Sequence, residues 1–156
     1  DLIQAATDFI ETQVDRDFLC RVRTLQLCGF PYEIEIPRPP TQAVLRIQYY
    51  DADNVLQTLA TTEWYSYSDG EYTRVLPEYG KSWPGTADRP DAVFIEYESG
   101  YGNTSDDVPA RGKQAILMVA RHWYDNPSAV VTGTISTEVK LAVASLCRSL
   151  NPGTYL

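Results

Sequence analysis

The sequence predicts an α+β fold: a small helical bundle of about three helices, with an antiparallel β unit inserted between the first and second. Two observations carry this reading. Apolar residues recur at helical spacing near both ends of the chain, and between those ends they alternate with period two. The clearest helix covers 109–125, where Ile116, Val119, Ala120 and Trp123 fall at i, i+3, i+4 and i+7. It is the joint at which β structure gives way to helix.

Taken in order, the first helix is expected from Leu2 to about Val14, with Ile3, Ala6, Ile10 and Val14 as its core stripe, and Asp15-Arg-Asp17 as its stop. The run Cys20–Cys28 reads as a strand closed by Gly29-Phe-Pro31, and Glu33–Ile36 as a second short strand. Pro37-Arg-Pro-Pro40 cannot lie in a central strand, so it predicts a rigid extended connection. Val44–Tyr50 should place Leu45, Ile47 and Tyr49 on one face, and Val55–Leu59 should return after the turn residues Asp51–Asn54. Glu63–Tyr67 and Tyr72–Leu76 flank Asp69-Gly70, a strong hairpin signal. A Gly- and Pro-rich loop follows from Tyr79 to Pro90, and Ala92–Tyr97 is the last strand, with Val93, Ile95 and Tyr97 on one face.

Pro109 suits the first position of the next helix, and Asp106 and Asp107 sit where the helix dipole favours negative charge. Asn126-Pro127 ends that helix, because a residue before proline is pushed out of the α region. A connector through Val130–Ile135 leads to a final helix over Thr137–Leu150, striped by Val139, Val143, Leu146 and Leu150. The predicted organisation is one domain over 1–156: a helix in 1–17, the β unit in 18–107, two helices in 108–150 and a C-terminal arm in 151–156.

Composition narrows the function classes. The hydrophobic fraction is 44% and the charged fraction 22%, ordinary for a soluble globular chain. No apolar run reaches the length of about 18 residues that spans a bilayer, so no membrane role is expected. Cys20, Cys28 and Cys147 form no C-x-x-C pair and are expected to be reduced, partly buried thiols of a cytosolic protein. The net charge of −8 is unevenly spread: residues 108–156 carry five bases and two acids, whereas residues 1–107 carry nineteen acids and eight bases. Such a chain is a poor gripper of phosphate backbones, but its basic C-terminal part can face an acidic partner or a neighbouring copy.

Nothing in the residues points to catalysis. The one histidine, His122, lies mid-helix beside Trp123, without the base-and-orienter setting a nucleophile needs. Glu96 and Glu98 share a strand face, the normal pattern of a solvated sheet. Gly100 and Gly102 open no phosphate-binding motif. The expectation is therefore no enzyme, no cofactor and no metal. Trp64, Tyr65, Tyr67, Tyr72, Tyr79 and Trp83 leave a second possibility open, an aromatic-rich β module that binds carbohydrate or protein.

Taken together, "CGFP" at Cys28–Pro31, "IPRPPTQAVLRIQYYDAD" at Ile36–Asp53, "YGKSWP" at Tyr79–Pro84, "VFIEYESGYG" at Val93–Gly102 and "VPARGKQAILMVARHWYDNPSAVVTGT" at Val108–Thr134 follow one another in a distinctive order. On these segments the sequence resembles the head–tail connector (head-completion or adaptor) family of long-tailed bacteriophages, prophages and gene transfer agents. Gly112 departs from the pattern by sitting where a helix former is expected, a local cost of up to about 1 kcal/mol.

The resemblance implies a structural virion protein, assembled in the bacterial host cytoplasm and carried at the head–tail interface. It would form a ring, a dodecamer, below the portal protein, extend the DNA channel without binding DNA specifically, and dock the stopper or tail-completion protein. It further implies that the C-terminal stretch ending in Tyr155 and Leu156 engages the portal. Arg111, Lys113 and Arg121 on the 109–125 helix are the candidates for contact with a neighbouring subunit.

Overall fold

A computed structural model of the chain describes residues 1–132 and 135–151. Its order is α1 (Leu2–Val14), seven strands, a 3-10 turn (Ser105–Asp107), then α2 (Ala110–Asp125), α3 (Pro127–Thr132) and α4 (Thr137–Leu150). The strands are β1 (Arg21–Leu27), β2 (Ile34–Ile36), β3 (Thr41–Tyr50), β4 (Leu56–Thr58), β5 (Trp64–Ser68), β6 (Thr73–Pro77) and β7 (Val93–Ser99). The α+β fold and the insertion of the β unit between the first two helices of the bundle are as the sequence predicts.

The β unit is two antiparallel sheets, one ordered β1-β7-β3-β4 and the other β2-β6-β5. Ile34, Ile36 and Val75 from the small sheet and Ile47, Val93, Ile95 and Tyr97 from the large one share a single buried cluster. The unit is thus a sandwich, its inner faces closed on each other. The proline run at 37–40 carries the chain from β2 in one sheet to β3 in the other. Both predicted hairpins form: Gln48 pairs with Thr58 across the Asp51 turn, and Tyr67 with Arg74 across Asp69-Gly70. In the latter turn the Asp69 carboxylate accepts from the Tyr72 N–H at 3.0 Å, and Gly70 takes φ 102°, a conformation that favours glycine.

β3 departs from simple alternation. Its register against β7 shifts between Thr41 and Ala43 and again between Val44 and Arg46. Each shift is a bulge that adds a residue and turns its side chain away from the expected direction. Leu45 is therefore exposed, not core-facing as the alternation predicts, and Val44 packs on the core instead.

The helices build a separate core from Ala6, Ile10, Val14, Ala115, Ile116, Val119, Trp123, Val143 and Leu150, joined by Phe18 and Val108 from the crossing segments. Of the predicted stripes, Ala120, Val139 and Leu146 pack against this core only partly buried, and Ile3 lies exposed at the helix end, while Ala115 joins the core outside the predicted stripe. Phe9 meets Trp123 edge to face at 5.7 Å, tying α1 to α2. Three local expectations shift. Pro109 is the N-cap of α2, one residue earlier than predicted, and the connector after Asn126 begins as helix α3 with Pro127 at its start. Asp107 turns its carboxylate back to the N–H and hydroxyl of Thr104, at 2.9 and 2.8 Å, and not toward α2. The thiols are free, but Cys28 is exposed, not partly buried.

Candidate assembly surfaces

Two segments cross between the cores, Asp15–Cys20 on the way in and Gly100–Pro109 on the way out, and a polar cluster holds them. Asp17 is fully buried. It accepts two hydrogen bonds from the Arg23 guanidinium, at 2.5 and 2.6 Å, and one from the Ser99 hydroxyl, while Arg38 approaches to 3.2 Å. Burial alone would raise the Asp17 pKa; the bonds from Arg23 and Ser99, with the charges of Arg38 and Arg23, outweigh it and hold the carboxyl below its ordinary value. Arg38 adopts φ 57°, unusual for a side chain of its size, and this aims its guanidinium at Asp15, Asp17 and the Arg16 carbonyl.

Its neighbour Arg16 reaches the other way, donating to Asn151 at 2.8 Å after α4 and to Glu71 at 2.7 Å in the β5–β6 turn. Glu11, also buried, accepts from the Phe18 N–H at 2.8 Å and pairs with Arg21 at 3.1 Å, steering the chain from α1 into β1. The first bulge lets Gln42 donate to the carbonyls of Gly100 and Tyr101. Gly100 has φ 127°, and a Cβ there would lie 2.6 Å from the Leu19 backbone, so only glycine admits this crossing. Along the sequence Asp15–Asp17 reads only as a helix stop, and this cluster goes unseen. Its one available signal was a charge-rich triplet next to a strand bearing alternate arginines.

The predicted interface residues diverge. Successive helix positions are about 100° apart, so Arg111 points about 160° away from Lys113. Lys113, Leu117, Arg121 and Tyr124 instead share one outward arc, with Leu117 61% and Tyr124 72% exposed. Arg121 pairs along the helix with Asp125 at 2.7 Å; Lys113 and Arg111 have no ion-pair partner among the described residues. Tyr155 and Leu156 lie outside the described residues.

At the far end of the sandwich, Tyr32, Tyr65, Tyr79 and Lys81 line an open cleft of about 570 Å³. Tyr65 and Tyr67 stack at 6.4 Å, and Tyr32 and Tyr79 stand almost wholly in solvent. Trp64 and Trp83 belong to the interior: Trp83 stacks on Phe30 at 4.7 Å and pins the Gly- and Pro-rich loop to the sandwich. Of the residues weighed for chemistry, Glu96 is paired with Arg46 at 2.7 Å, and His122 accepts from the Ser136 N–H at 3.3 Å, where α4 begins. Among the described residues no group of three His, Cys, Asp or Glu side chains is placed to hold a metal, and no helix is long and apolar enough to cross a membrane.

No family model and no curated protein matches the chain. Several chains in solved structures share this fold, among them three from gene transfer agent particles. A chain in the neck of an empty GTA particle computed with C6 symmetry matches with TM-score 0.68 and 22% identity, over 80% of this chain and 64% of that one. A chain in the virion of a native gene transfer agent (GTA) particle matches with TM-score 0.76 and 21% identity, over 95% of this chain and 73% of that one. A chain in the neck of a native GTA particle computed with C12 symmetry matches with TM-score 0.74 and 20% identity, over 93% of this chain and 79% of that one. This chain thus spans under two thirds of the first of these and somewhat more of the other two, and what it shares with all three is the fold.

Proposed function

We propose that this chain is a structural, non-catalytic head–tail connector subunit. Copies form a ring below the portal, extend the DNA channel and offer a docking surface to the stopper or tail protein. The observation that carries the proposal is the fold shared with GTA neck and virion chains over nearly the whole of this chain. A dodecamer is the copy number that fits a neck computed with C12 symmetry. The molecule suits such a role physically. Its two ends carry exposed aromatic and apolar side chains, the residue types favoured where subunits meet. Its acidic balance of −8 limits adhesion to DNA passing through a channel.

The test is electron microscopy of the purified chain mixed with portal rings from the same particle. A ring of this chain coaxial with the portal is expected; portal rings that stay bare at excess chain would overturn the reading. The tyrosine-lined cleft favours a second reading, a β module that stacks sugars or peptides. Binding to a glycan array by a chain that ignores portal rings would replace the first reading with this one.

A further inference from the structure

We infer that the subunit contact in such a ring is helix on helix, with the outward face of α2 seated on the outward face of α1 of the next copy. The inference rests on the ring assembly proposed above and names the two surfaces that make it.

The buried stripes of α1 and α2, with Ala6 and Ile10 on one and Ala115 and Val119 on the other, lie in one core where the two helices pack together. Their outward stripes therefore point to opposite sides of the bundle. Two different faces on opposite sides form a heterologous contact, the kind that repeats head to tail and closes by rotation.

The two faces are complementary in charge. On α1, Asp8 stands exposed on the outward face, and the exposed Asp1 and Asp15 cap the helix at its two ends, so this side is acidic while Arg16 is buried. On α2, Lys113 and Arg121 flank the exposed Leu117 and Tyr124. At 1.5 Å per residue, Lys113 and Arg121 are about 12 Å apart along α2, and the backbone of Asp8 lies about 10.5 Å from each of the capping residues Asp1 and Asp15, so the spacings are similar. Ala5 and Thr12 beside Asp8 leave low ground where Leu117 and Tyr124 can pack.

The present partners of these groups are weakly held. Arg121 pairs with Asp125 at exposed positions, where such pairs contribute about 0–1 kcal/mol, and the Asp15 carboxylate is 76% exposed beside the half-buried Arg38. Lys113 is unpaired among the described residues, and Asp8 takes only a hydrogen bond from Gln4, at 2.9 Å. Re-pairing across copies therefore displaces little.

The experiment uses two reversed chains, Lys113→Glu/Arg121→Glu and Asp8→Lys. Both change exposed or half-exposed positions, and circular dichroism verifies that each still folds. Ring formation, alone and on portal rings, is followed by light scattering and electron microscopy. Each variant alone should assemble at least tenfold more weakly than the native chain. Their equimolar mixture should recover, because each variant then presents every neighbour with a face of opposite sign, and an even ring closes. Variants that assemble as well as the native chain, or a mixture that fails to recover, would overturn the contact while leaving the ring intact. A native chain that forms no ring even on portal rings would overturn the connector reading itself.

Discussion

The bundle and the sandwich reach their cores by different routes. In the bundle, a stripe spaced at three and four residues creates each buried face within its own helix, and the helices then stack stripe to stripe. In the sandwich, burial depends on partners far away in sequence, as where Arg21 meets Ser99. Among the described residues the two cores share no buried residue. What connects them is polar, and the chain concentrates its buried charge at that joint. Apolar packing is tolerant of small shifts, whereas a carboxylate held by two guanidiniums and a hydroxyl admits one arrangement. A joint of this kind fixes the angle between the helical bundle and the tyrosine-bearing end of the sandwich.

The largest effect should come from Asp17→Ala. Breaking a buried charge pair costs about 3–5 kcal/mol. Arg23 and Arg38 keep part of their side chains in solvent, with 33% and 23% exposure, which favours the lower end. Urea unfolding followed by tryptophan emission would measure the loss, and the same curve followed by far-ultraviolet circular dichroism would show whether the two cores part company. We expect coincident curves in the native chain and separated ones in Asp17→Ala. Coincident curves in both would mean that the joint does not couple the cores.

Acid should act on the same group. The folded-state pKa of Asp17 lies below its unfolded value of about 3.9, so its contribution is fully present above about pH 4 and is lost as pH falls through the lowered folded value. Lowering the pH from 7 to 3 should therefore reduce the urea midpoint more in the native chain than in Asp17→Ala. Equal reductions would assign the acid sensitivity to other carboxylates.

The contrast between the two regions also explains what was legible in the sequence. The bounds of α1 and α4 could be read directly, because helical period is a local property. The strands were placed to within a few residues, but not their division into two sheets, since that depends on which distant strand each one meets. The proline run at 37–40 marked the crossing without revealing that it joins two sheets. The bulges at Gln42 and Leu45 have no local signature and appear only against β7. Of the interface candidates, spacing alone separates Arg111 from Lys113, while the partners that such a face would meet belong to another copy.

Gly112 sharpens the comparison at its smallest scale. By helical propensity it is a flaw, and replacing it should stabilise α2 by up to about 1 kcal/mol. In the fold, however, a Cβ at this position would lie 3.1 Å from the ring of Phe18, the residue immediately after Asp17. The glycine is a seat for the crossing segment, and the ring is itself fully buried, so it has little room to retreat. Gly112→Val fills that seat with two further methyl groups, and overpacking of this kind costs about 1–3 kcal/mol. Overpacking should win, lowering the melting temperature by roughly 2–4 °C for each kcal/mol lost. Combining it with Phe18→Leu should give less than the sum of the two separate losses, because both act on one contact. A higher melting temperature for Gly112→Val would show that propensity governs here and that the bundle can yield where the crossing segment docks.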